Sequence, residues 1–193
     1  IYNSCARGSL CMNIYESSLK DVYVIEPKIF EDDRGYFLES FSQKEFEKNG
    51  LDCNFVQDNI SNSTSSVIRG LHYQLKNPQG KLVRCLQGRV MDVCVDIRVG
   101  SPNFGKFYSQ VLTDKNKLSV YVPPGFAHGF HVMSDEATFY YKCTEYYYPQ
   151  DQYGIRWDSI DYSWLVSEPI LSKKDAEAPL LSEQDEGLLP KYE

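Results

Sequence analysis

The sequence predicts a mainly β chain in which short antiparallel strands form a barrel or jelly roll with short peripheral helices. Three observations carry this expectation. Strand-type runs separated by Gly, Pro, Asn and Asp turn signals fill the middle of the chain. The 15 Tyr and 10 Phe favour pleated, half-buried surfaces. Val93, Val95 and Ile97 alternate with Asp92, Cys94, Asp96 and Arg98, a period of two that presents different faces to two environments.

Taken in order, strands are expected over residues 22–25, 36–41, 82–86, 90–98, 107–112, 118–122 and 137–145. Pro78-Gln79-Gly80 and Gln87-Gly88 read as tight turns joining neighbouring strands. Helical signals are few. Residues 42–48 begin with Ser42, suited to an N-cap, and stop at Asn49-Gly50, while Ser172-Lys173-Lys174-Asp175 starts a second short helix. No internal repeat or linker divides the chain, so residues 12–193 read as one domain. Met12 resembles a start, which makes residues 1–11 an upstream extension or a remnant of expression.

At 193 residues the chain can bury one substantial core. A net charge of −7 argues against nonspecific binding to nucleic acid or an anionic membrane, since the long-range field repels both. No apolar run reaches the roughly 20 residues that cross a bilayer, and a cytoplasmic location is expected. The six cysteines form no Cys-x-x-Cys pair and read as free thiols.

The sharpest local feature is Val67-Ile68-Arg69-Gly70-Leu71-His72-Tyr73-Gln74, where Arg69 and His72 flank a glycine that lets the backbone turn or approach a ligand closely. On an alternating strand His72 and Gln74 share a face and Tyr73 takes the other. Further on, Pro123-Pro124-Gly125-Phe126-Ala127-His128 has the Pro-x-Gly-x-x-His spacing of the second half of a cupin motif. A metal-binding cupin would supply a second His two residues after the first. Here Gln74 stands there, and the chain has only three His, so no metal is expected. The third, His131, reads as structural.

Eight blocks then occur in one order: Glu26-Pro27-Lys28, Asp33-Arg34-Gly35-Tyr36-Phe37-Leu38-Glu39, Phe55-Val56-Gln57-Asp58-Asn59, Arg69 to Gln74, Gln79-Gly80-Lys81-Leu82-Val83-Arg84, Gly125 to Phe130, Tyr141-Lys142-Cys143-Thr144 and Ser172 to Asp175. Through them the sequence, from about Tyr15 to Leu181, resembles the dTDP-4-dehydrorhamnose 3,5-epimerase family. The resemblance implies an RmlC-like jelly roll, usually a homodimer, acting on a dTDP-linked 4-keto-6-deoxyhexose. Its C4 ketone acidifies the C–H bonds at C3 and C5. Inversion needs a base, an acid on the opposite face and a cation or donor at the developing oxyanion, and no cofactor.

By this resemblance His72 is the base, Asp175 orients its imidazole and stabilises the protonated form, Tyr141 is the proton donor and Lys81 meets the enolate oxygen. Local sequence alone would read Asp175 as a helix-start residue and Lys81 as a turn residue. His128 and Arg69 match residues close to the sugar and diphosphate, where a guanidinium fork suits phosphate oxygens. Arg34, Gln57 and Asn59 match nucleotide-binding positions, with Phe37 and Glu39 nearby. In this family the 34–39 segment reaches the partner subunit's site. Arg34, Arg69, Lys81 and Arg84 are expected to form a positive pocket in an acidic protein, and Tyr146-Tyr147-Tyr148 to offer an aromatic wall for the base.

Tyr73, Pro124 and His131 depart from residues common in the family, which bears on substrate preference more than on reaction class. The leading reading is conversion of dTDP-4-dehydro-6-deoxy-D-glucose to dTDP-4-dehydro-L-rhamnose. Alternatives are epimerisation at C3 or C5 alone, another nucleotide sugar or a heptose, and a non-catalytic sugar-nucleotide-binding cupin.

Overall fold

The computed structural model describes residues 12–192, so the expected extension over residues 1–11 lies outside the described residues. Thirteen strands and two short α-helices follow in order: β1 (Asn13–Glu16), β2 (Tyr23–Glu26), β3 (Ile29–Asp32), β4 (Gly35–Leu38), α1 (Gln43–Lys48), β5 (Gln57–Thr64), β6 (Ile68–Gln74), β7 (Lys81–Gln87), β8 (Arg89–Asp96), β9 (Phe107–Thr113), β10 (Ser119–Val122), β11 (Phe126–Val132), β12 (Glu136–Cys143), β13 (Gln152–Gly154) and α2 (Lys173–Ala176). The strands form a six-stranded sheet, β1-β2-β10-β7-β12-β5, a five-stranded sheet, β13-β6-β11-β8-β9, and a separate β3-β4 hairpin. The pairs within the two large sheets are antiparallel, as the sequence predicts.

Sequence neighbours here are rarely sheet neighbours. The 78–80 and 87–88 turns do not close hairpins, because β6 and β8 lie in one sheet and β7 lies in the other. The chain crosses between layers at both turns. The period-two logic of β8 holds, yet both of its environments are interior. Val90 and Cys94 pack between the sheets with Val83, Phe130 and Phe139, while Val93, Val95 and Ile97 pack on the far side against Ile155, Trp164 and Leu189. A third cluster seals the outer face of the six-stranded sheet, where Leu82 and Tyr121 meet Phe46 of α1. The strand expected over 36–41 ends at Leu38, inside the exposed hairpin. Strand β5 was not expected at all, because its sequence is polar on both faces.

The two sheets are held open at one end by polar side chains, and alternation decides which. On β12, Ala137 and Phe139 point into the core, so Tyr141 and Cys143 share their face and Tyr140 does not. On β7, Lys81 shares a face with the core residues Val83 and Cys85. Arg69 and His72, three residues apart on β6, have opposite parity, and a bulge reconciles them. His128 pairs with His72 while Phe130 pairs with Arg69, so three steps of β6 match two of β11. Gly70 sits in this step at φ +129°, where a Cβ would lie 2.6 Å from Cα of Gly129. The glycine foreseen as permitting close approach admits the next strand.

Candidate active site

The polar end of the sandwich is a cavity of about 470 Å³. Its walls include His72, Gln74, His128 and Asp175 on the side of the five-stranded sheet, and Gln57, Asn59, Lys81 and Tyr141 on the side of the six-stranded sheet. Arg69 and Tyr147 also line it. Seven of the expected site residues, His72, Asp175, Tyr141, Lys81, Gln57, Asn59 and His128, thus converge with an eighth, Arg69, from six separate elements.

His72 Nε2 lies 2.5 Å from Oδ1 of Asp175, across 103 residues of sequence. The carboxylate is brought there by α2. Ser172 caps the helix by accepting the backbone N–H of Asp175 at 3.1 Å, so the helix-start signal and the functional position coincide. Burial pushes the Asp175 carboxyl up, but hydrogen bonding and charge from His72, the Ser172 hydroxyl and the backbone N–H of Gly70 outweigh it, and the group stays below its ordinary value. It is therefore a carboxylate at neutral pH, and an imidazolium formed on His72 has its counter-charge in place.

A second pair stands beside the first. His128 Nε2 lies 2.7 Å from Oδ2 of Asp92, and both residues are buried. Sequence reasoning gave Asp92 no role. The signal was present in its parity, since Asp92 shares with Cys94 the face of β8 that enters the core. Burial lowers the affinity of Lys81 for its proton, and the nearby Cys143 and Asp92 partly offset this. Burial raises the Tyr141 phenol above its usual value, with Arg69 pulling in the other direction. Tyr141 is consequently protonated at neutral pH.

Gln74, in the place of a second metal ligand, is fully engaged in holding a loop. Its amide donates to the carbonyls of Asn77 at 2.7 Å and Tyr146 at 3.1 Å, and its oxygen accepts the N–H of Tyr148 at 2.9 Å. Among the described residues no group of three or more His, Cys, Asp or Glu is placed to hold a metal ion. The loop tied by Gln74 carries Tyr147, the one member of the tyrosine run that lines the cavity. Its N–H donates to Gln57 Oε1 and its hydroxyl to Gln152 Oε1, both at 2.9 Å. Lys174 donates to the same Gln152 oxygen at 2.9 Å, adding an unforeseen cation to the rim.

The expected positive pocket is smaller than predicted. Arg84 has the opposite parity to Lys81 and lies on the outer face of the six-stranded sheet, near Tyr36 and Tyr140. Arg34 pairs with Asp32 on the β3-β4 hairpin. Arg34, Phe37 and Glu39 do not line the cavity of their own chain, and Phe37 is 62% exposed. The cations of the cavity are Arg69, Lys81 and Lys174.

Residues 16–183 match the family model described as dTDP-4-dehydrorhamnose 3,5-epimerase. The chain belongs to this family. The epimerase of Shigella flexneri bearing that name is 52% identical over 168 residues, 85% of this chain and 93% of the relative. The structure of dTDP-6-deoxy-D-glucose-3,5-epimerase RmlC from Legionella pneumophila Philadelphia 1, in complex with dTDP-4-keto-L-rhamnose, superposes with a TM-score of 0.92 at 47% identity, covering 95% of this chain and 100% of that one. ChmJ, a 3'-monoepimerase from Streptomyces bikiniensis solved with dTDP-quinovose, superposes with a TM-score of 0.81 at 32% identity, covering 91% and 92%. The likeness to RmlC extends over the whole sandwich, so this epimerase has the cupin-like jelly roll that its motifs implied. No helix of the described residues is long and apolar enough to cross a membrane.

Proposed function

We propose that the cavity converts dTDP-4-dehydro-6-deoxy-D-glucose to dTDP-4-dehydro-L-rhamnose by inversion at C3 and C5, with His72 and Tyr141 acting from opposite faces of the sugar ring. The observation that carries this reading is that the His72–Asp175 pair and Tyr141 stand on opposing sheets around one cavity. With Nε2–H donated to Asp175, Nδ1 of His72 carries the lone pair that takes the proton from carbon. The C–H electron pair becomes the enolate, whose oxygen is met by the ammonium of Lys81. Tyr141 then returns a proton to the opposite face, leaving the carbon inverted. Exchange with water restores neutral His72 and the Tyr141 phenol, and the cycle repeats at the second carbon.

Arg69, His128, Gln57 and Asn59 hold the sugar and nucleotide in this reading. Arg34, Phe37 and Glu39 act in the partner's cavity within a homodimer, a role supported by their exposed hairpin lying away from the cavity of their own chain. A cytoplasmic site of action is supported by Cys53, Cys85, Cys94 and Cys143, all buried free thiols.

The test is incubation of the keto sugar with the enzyme in heavy water, followed carbon by carbon. Deuterium is expected at both C3 and C5. The likeness to ChmJ gives a single-carbon reaction a specific basis, and exchange at one carbon only would assign it. No exchange at either carbon, with folded protein and authentic substrate, would overturn epimerisation. A His72→Ala, Tyr141→Phe pair that retains sugar-nucleotide binding and the biological effect, with no catalytic defect, would favour the non-catalytic binding alternative.

A further inference from the structure

The inner face of β5 carries polar side chains at every second position, Gln57, Asn59, Ser61 and Ser63. Three of the four are satisfied within the protein. Gln57 accepts from Tyr147 and donates to Asn59 at 2.9 Å, the Asn59 amide reaches Cys143 Sγ at 3.6 Å, and Ser63 accepts from Arg69 Nε at 2.9 Å. Ser61 is the exception. It lines the cavity, yet its hydroxyl is buried and has no hydrogen-bond partner. A buried hydroxyl left unpaired is costly and uncommon, and a ligand that supplies the missing partner recovers that cost on binding.

Register shows where such a ligand atom would lie. On the paired strands Asn59 stands opposite Tyr141, and Ser61 opposite Phe139. Ser61 is therefore one step along from the tyrosine, and one step short of Ser63, which anchors the Arg69 guanidinium. Phe139 offers it only an aromatic ring, itself stacked on Phe130 with centroids 4.2 Å apart. The Ser61 side chain borders the cavity, and a serine hydroxyl has three staggered χ1 wells available to it.

We propose that Ser61 is a substrate-positioning residue whose hydroxyl donates to an oxygen of the hexose, between Tyr141 and the phosphate end held by Arg69. This deepens the epimerase reading and rests on it for the orientation of the sugar. The bond is absent from the free protein and forms with the hexose, so it contributes to binding the sugar moiety and not the nucleotide.

The test uses Ser61→Ala, which removes the hydroxyl and little volume. Calorimetry with dTDP-glucose is expected to show affinity weakened roughly three- to tenfold, the range of one neutral hydrogen bond, with dTDP alone unchanged within twofold. KM for the keto sugar rises by the same factor. Ser61→Cys, whose thiol is a poor donor, gives the same loss, and Ser61→Thr recovers most of it. The thermal midpoint of Ser61→Ala stays equal or rises, since an unpaired polar group is gone. Unchanged dTDP-glucose affinity in the Ala and Cys variants overturns the assignment, and so does a parallel loss of dTDP affinity, which would move the contact to the nucleotide. The binding arm stands apart from the wild-type exchange experiment, so failure of epimerisation and failure of the Ser61 contact are distinguishable.

Discussion

His72 and His128 are direct register partners on adjacent antiparallel strands, and each holds its own carboxylate, Asp175 at 2.5 Å and Asp92 at 2.7 Å. Two imidazole–carboxylate pairs thus share one wall of the cavity. One carboxylate comes from a helix near the C-terminus and the other from the middle of the neighbouring strand, so the pairs can be separated by mutation.

Asp175→Asn should lower kcat about 100- to 10,000-fold, the usual worth of positioned acid–base chemistry, with little change in KM. Asp92→Asn should act differently. The Asp92 charge supports the ammonium of Lys81 against burial, so its loss lowers the pKa of Lys81 further. The alkaline limb of the kcat–pH profile then moves to lower pH, as measured by initial rates across a buffer series. An unshifted limb would show that the charge state of Lys81 does not govern turnover.

Gly70→Ala should destabilise the protein by about 3 kcal/mol or more, because the side chain meets both a positive φ and the backbone of the facing strand. Urea unfolding measures the loss. The same change should abolish activity in whatever fraction folds, since the Gly70 step brings both Arg69 and His72 to the cavity.

Asp151 supports an acid-sensitive part of the stability. Burial raises its pKa, but N–H groups of Lys76, Asn77 and Leu75 and the Asn77 amide lower it by more, leaving it below the ordinary 3.8. A depressed folded pKa contributes stability that is fully present above about pH 4 and is lost as pH falls through the folded value. Asp151→Asn should cost about 1 to 3 kcal/mol at pH 7 from its charge-assisted hydrogen bonds. Denaturant curves at successively lower pH should show that difference shrinking below pH 4.

The hairpin makes a prediction about pairs of chains. Arg34→Ala leaves the cavity of its own chain intact, and His72→Asn leaves the hairpin intact. If hairpins act across a homodimer, mixing the two inactive variants restores up to about one quarter of wild-type activity through heterodimers with one complete site, the statistical limit for random exchange. Sedimentation measures the dimer itself, and no recovery from exchanged dimers would place the hairpin's work elsewhere.

Much of this site was legible in the sequence, through two kinds of signal. Alternation distinguishes Tyr141 from Tyr140 and Lys81 from Arg84, and resemblance draws attention to His72 and Asp175 despite their 103-residue separation. Alternation also contains the correction for Arg84, three positions from Lys81 and so on the other face. Strand β5 escaped because hydrophobic periodicity is the usual mark of a strand and neither of its faces is uniformly apolar. Asp92 escaped because a carboxylate flanked by apolar residues, here Met91 and Val93, ordinarily marks a solvent face, whereas it meets a buried imidazole. The joint inward placement of Arg69 and His72 depends on one extra residue in a ladder, which only the pairing of two strands reveals.

The commitments of Gln74 limit what can replace it. A histidine at this position would offer a chelating nitrogen but would cut the tie between β6 and the loop that carries Tyr147. A single substitution therefore cannot place a second imidazole beside His72 with the loop intact. The side chain at this position works as a tie rod, so the architecture of the loop itself opposes a metal ligand there.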